Sequence, residues 1–220
     1  GRWMGKTFES LIRREAVDGT VRWEAKDPQI AAGPVAATRQ RIYAGGYLPR
    51  SAGASTVVVP TLRGLQTDGK VLWTQSLRGA PEDSAVMGLA IGQNQSAVAL
   101  VGPVLPQKAE SDFSLVRVDS NGREIARKIL SLAVYGQGSN FGYLRFDGAA
   151  GLAVVNRGRW AKSGPDGYRL NGLGDTEQCW EGDAADIVII DAATLDVRKR
   201  LRIDRFQVEA AASTEDGWIV

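Results

Sequence analysis

The 220-residue chain carries 27 basic and 25 acidic side chains, a net charge of +2, and its bases are interspersed with acids, which excludes the concentrated positive surface of a nucleic-acid binder. An apolar content of 44% excludes a disordered chain. There is no histidine and only one cysteine, Cys179, which removes Ser-His-Asp catalysis, histidine-based zinc sites, CxxC redox chemistry and internal disulfides.

The first element in chain order is a hairpin from Leu11 to Lys26 (LIRREAVDGTVRWEAK), with its corner at Asp18-Gly19. A type I′ turn is expected there, because Asp, Asn and Gly tolerate positive φ. Val21, Trp23 and Ala25 alternate onto one face, as a strand requires. Two short strands follow at 34–37 and 41–47. A second hairpin spans Thr61 to Leu77 around Asp68-Gly69, and strands follow at 85–91 (AVMGLAI) and 96–104 (SAVALVGPV). A third hairpin spans Phe113 to Leu130 around Asn121-Gly122, followed by strands at 141–146 and 151–156. A fourth spans Ile187 to Ile203, and short strands close the chain at 208–213 and 218–220.

The unit is therefore four short strands repeating about every 50 residues, the period and strand content of a propeller blade. The predicted fold is all-β: a β-propeller of four-stranded antiparallel blades, about four in this chain or a segment of a larger propeller. A two-sheet sandwich is the competing architecture. Residues 1–220 are expected to form a single domain, its opening outer strand pair and closing inner pair together making one blade. No apolar run approaches the roughly 18 residues of a membrane span.

The pattern DGxVxW occurs twice, at Asp18 to Trp23 and Asp68 to Trp73. It resembles the outer-strand motif of PQQ-like and related bacterial β-propeller repeats, and the closing segment Ala212 to Val220 resembles a first-to-second strand turn of such repeats. The third and fourth hairpins depart from the motif, with Ile125-Ala126 and Val197-Arg198 in the tryptophan's place. The resemblance implies a propeller and leaves a quinoprotein-type cofactor site as one reading of function.

Residues 157–184 (RGRWAKSGPDGYRLNGLGDTEQCWEGDA) interrupt the repeat and are expected to form an inserted loop. Long loops on a rigid scaffold often carry function. Trp160, Tyr168 and Trp180 suit stacking on a sugar or clamping a peptide, and Arg157, Arg159, Lys162 and Arg169 suit carboxylates or phosphates. These seven are the candidate partner-binding residues. The segment 48–56 is a second candidate loop. Gly5-Lys6-Thr7 lacks the spacing of a phosphate-binding loop. Glu181, Asp183 and Asp186 do not match a calcium loop.

The expected function is non-enzymatic binding or scaffolding, with blade loops engaging a protein partner, or a glycan. No catalytic, cofactor or metal-binding residue is assigned. The alternatives are a glycoside hydrolase or lyase working through Asp and Glu, and the quinoprotein-type cofactor binder. A periplasmic or secreted location is favoured over a cytoplasmic one, because the sequence opens without methionine.

Overall fold

The computed structural model describes residues 2–4, 7–27, 31–52, 55–80, 84–103, 110–133, 141–147, 150–162, 178–204, 212–214 and 217–219. Apart from one short 3-10 turn at Gln93–Gln95, every regular element among them is a strand. No helix of the described residues is long and apolar enough to cross a membrane.

The outer hairpins form where the sequence places them, but by a different turn. The Ala16 N–H donates to the Thr20 carbonyl at 2.8 Å, and the Gly19 N–H donates to the Ala16 carbonyl at 3.0 Å. Glycine alone takes positive φ, +82° at Gly19. The connection is thus three residues closing on a left-handed glycine, not a two-residue type I′ turn. The aspartate serves through its carboxylate instead: Asp18 Oδ1 accepts the Thr20 N–H at 2.9 Å, which holds that carboxyl below its usual range. Gly69 (+92°) and Gly122 (+83°) close the next two corners in the same way. The fourth corner is one residue longer. There the Asp191 N–H reaches the Asp196 carbonyl at 2.8 Å, and Leu195 takes the left-handed position at +63°.

These hairpins are the outer halves of meandering sheets. Blade 1 comprises β1 (Arg2–Met4), β2 (Thr7–Glu15) and β3 (Val21–Asp27); blade 2 comprises β4 (Ala31–Ala37), β5 (Ile42–Ala52), β6 (Ser55–Leu65) and β7 (Val71–Ser76). Blade 3 comprises β8 (Ser84–Ile91), β9 (Ala97–Pro103), β10 (Glu110–Val118) and β11 (Glu124–Ala133). Blade 4 comprises β12 (Phe141–Asp147), β13 (Ala150–Lys162), β14 (Gln178–Asp191) and β15 (Val197–Asp204). A separate ribbon, β16 (Ala212–Thr214) with β17 (Gly217–Ile219), follows. All pairings are antiparallel between sequence neighbours. Blade 1 has three strands where a pair was expected, and among the described residues no ladder joins it to β16–β17.

The first strands of successive blades touch, β4 on β8 and β8 on β12. Every residue of β9 is buried. Val98 and Leu100 enter an apolar cluster shared with blade 4, whereas Ala97, Ala99 and Val101 enter one shared with blade 2. In a two-sheet sandwich each sheet buries one face. A middle sheet buried on both faces needs a neighbour on each side, and four-stranded meanders stacked in this way, first strands together, are the blades of a β-propeller. Double-sided burial also explains why AVALVGP reads as an unbroken apolar run rather than an alternating one.

Consecutive blades are tied together at their hairpin corners. Trp23 Nε1 of blade 1 donates to the Thr67 carbonyl of the blade 2 corner at 2.8 Å, and Trp73 Nε1 of blade 2 donates to the Ser120 carbonyl of the blade 3 corner at 2.9 Å. Each indole lies over the corner glycine it meets: a Cβ added to Gly69 would stand 2.7 Å from the Trp23 ring, and one added to Gly122 would stand 2.6 Å from Trp73. Tyr43, tilted against Trp73 with ring centroids 6.0 Å apart, donates its hydroxyl to the Gln95 carbonyl at 2.7 Å. At the third junction the indole is missing, since Ala126 holds its place. Leu195, fully buried, occupies the corner in glycine's stead, and both residues belong to one apolar cluster. The Arg117 guanidinium supplies the hydrogen bonds there, donating to the Ala192 carbonyl and, at 2.7 Å, to that of Ala193.

Candidate functional site

The register of the ladders shows what protrudes. β5 and β6 pair without a break from Ile42↔Leu65 to Ala52↔Ser55, yet β4 accompanies β5 only as far as Tyr47, and β7 accompanies β6 only from Thr61. Leu48–Ala52 and Ser55–Val59 therefore form a two-stranded ribbon extending past the blade. The expected loop at 48–56 is this ribbon, apart from residues 53 and 54, which lie outside the described residues.

Blade 4 repeats the arrangement. β12 accompanies β13 only to Asn156, and β15 accompanies β14 only from Ala184. Beyond a bulge after Arg157, β13 and β14 continue with no third strand among the described residues, pairing Gly158↔Gly182, Arg159↔Glu181, Trp160↔Trp180, Ala161↔Cys179 and Lys162↔Gln178. The flanks of the expected insertion, 157–162 and 178–184, are thus strands, not loop. Of the seven candidates, Arg157, Arg159, Trp160 and Lys162 fall on β13 and Trp180 on β14, with the two tryptophan positions directly opposed. Tyr168 and Arg169 lie outside the described residues. Both ribbons join second to third strands, so they leave the blades at the end opposite the tied corners.

The innermost strands offer little to acid–base chemistry. β4 (AAGPVAA) and β8 (SAVMGLAI) contain no titratable side chain, and β12 contributes Tyr143, Arg145 and Asp147. A hydrolase working from the axis would have to draw its carboxylate pair from elsewhere. Among the described residues no three His, Cys, Asp or Glu side chains gather in a way that would hold a metal ion.

A cleft that the sequence did not reveal lies between blades 1 and 2 at the tied corners, with a volume of about 500 Å³. Its apolar wall comes from Ile12, Trp23, Val35 and Ile42, and its rim carries Arg13, Arg14, Arg39 and Glu15. Arg13 is paired to Glu15 and lies 3.9 Å from Glu24. Arg14 Nη1 donates to the Thr67 carbonyl at 2.8 Å, the oxygen that also accepts from Trp23. Four separate segments build this cleft, so no single stretch of sequence betrays it. The adjacent arginines at 13 and 14, with a further arginine at 39, are the local signal.

No family model matches the sequence, and no curated protein sequence matches it. Among solved structures, the chain is similar to an apocarotenoid oxygenase/RPE65 chimera at 13% identity and a TM-score of 0.37, over 71% of this chain and 34% of that one. It is also similar to a variant of the apocarotenoid oxygenase of Synechocystis, at 12% identity and a TM-score of 0.39, over 77% of this chain and 34% of that one. This chain thus covers about a third of the length of each.

Proposed function

We propose that this chain is a non-enzymatic binding or scaffolding propeller that engages a protein partner through the ribbons at one end of its blades. The observation carrying this reading is the pair of hairpin extensions, on blades 2 and 4, that leave the blades at the same end and have no third strand on either edge among the described residues. A ribbon with no third strand in its ladder among the described residues is a surface to which a partner's strand can add. Trp160 and Trp180 are paired positions in the ladder, which supports this reading, because aromatic anchors often dominate binding energy at protein interfaces.

The test compares partner recovery by the tagged full chain with that by the double variant Trp160→Ala/Trp180→Ala, quantified by mass spectrometry. The expected result is at least a tenfold loss of one or more specific partners, with the thermal midpoint unchanged to within about 2 °C. Unchanged recovery would remove the ribbon from the function, and a large fall in the midpoint would mark the two tryptophans as core residues.

A further inference from the structure

The cleft between blades 1 and 2 is separate from the ribbons and lies at the opposite end of the blades. We propose that it is a binding site for a small organic carboxylate with an apolar body. Its volume of about 500 Å³ falls within the roughly 300–1,000 Å³ of pockets that enclose small molecules. Val35 is 52% exposed, and with the half-buried Ile12 it lines the cleft over the buried Ile42, giving a ligand's hydrocarbon a surface to cover.

The charge on the rim decides the sign of the head group. Glu15, the one acid among the described lining residues, is paired with Arg13. Arg14 spends one N–H on the Thr67 carbonyl and keeps the other donors of its guanidinium. Arg39 forms no hydrogen bond or ion pair among the described residues. Two guanidinium groups beside an apolar wall therefore await an anion, and the planar fork of arginine matches a carboxylate through two parallel hydrogen bonds. A cationic amphiphile would meet repulsion at the same rim, and a small inorganic anion would leave the wall uncovered.

Calorimetric titration of the full chain with decanoate and with 2-naphthoate tests the proposal, with decyltrimethylammonium and inorganic phosphate as comparators. The expected outcome is one site for at least one of the two carboxylates, with both comparators at least tenfold weaker. Arg39→Ala should weaken carboxylate binding about tenfold without touching the fold, because that side chain is exposed and makes no bond to another described residue. Arg14→Ala should weaken it similarly, with circular dichroism reporting any loss of the Thr67 contact. Val35→Ser should lower affinity for the carboxylates and leave that for phosphate unchanged. Failure of both carboxylates to bind, equal binding of decanoate and decyltrimethylammonium, or binding unchanged by Arg39→Ala would each overturn it.

Discussion

Trp23 and Trp73 each use both parts of an indole, the ring over a glycine and the N–H on the carbonyl of the residue two positions before it. Gly69 is thus held by two demands, a left-handed backbone and a ring against its Cα. Gly19 has the same backbone but nothing within 4 Å of an added Cβ. Gly19→Ala should therefore cost about 1 kcal/mol, the price of left-handed alanine alone. Gly69→Ala should cost about 2–3 kcal/mol, because the Trp23 ring must also move; urea unfolding of the two variants measures the difference. Asp191 supplies a residue-level prediction about pH. Its carboxylate accepts the Thr194 and Ala193 N–H groups and is paired with Arg198, contacts that hold its pKa well below the usual carboxylate value. A pKa depressed on folding gives stability that is present above about pH 4, the unfolded value, and is lost as pH falls toward the folded one. Asp191→Asn should lower the urea midpoint at pH 7 and flatten its decline between pH 4 and 2.

At the scale of elements, the third junction exchanges tryptophan-plus-glycine for alanine-plus-leucine. Leu195→Gly should relieve a left-handed leucine yet empty a fully buried site, for a net loss of about 2–4 kcal/mol. Ala126→Trp alone should overpack the same space. The double variant should recover much of both losses, and a double-mutant cycle on urea stabilities should show favourable coupling of at least about 1 kcal/mol; additive losses would mean that the two residues do not share one space. The elements themselves were largely legible in the sequence, because the DG and NG corners and the period-two runs beside them report local geometry. The turn type was not, since the same aspartate suits positive φ or a side-chain hydrogen bond, and only the backbone of Asp18 distinguishes them. The strand at 157–162 was also hidden. Its sequence, RGRWAK, lacks the apolar alternation by which a strand is read. The cleft was illegible for a third reason: Arg14, Arg39 and Val35 meet only once two blades are stacked.

Across the whole molecule, the two ends of the blades differ in character. One is fastened by hydrogen bonds from side chain to corner, and the other extends two-stranded ribbons past the blades. Native-state hydrogen exchange should follow that division. Amides of β9 and of β10 from Phe113 to Val118, buried on both faces, should exchange only through near-global unfolding. Those of Leu48–Ala52 and Ser55–Val59 should open locally and orders of magnitude faster. Uniform protection across both would contradict the ribbon geometry. The corner fastenings also have a direction. Trp23, Tyr43, Trp73 and Arg117 each reach toward the blade that follows them in the chain. Each blade therefore specifies its successor. Permuting blades 3 and 4 would set an indole against the Leu195 corner, and a shuffled array would fail at its seams while every module stayed sound, so serial order is written into the joints themselves.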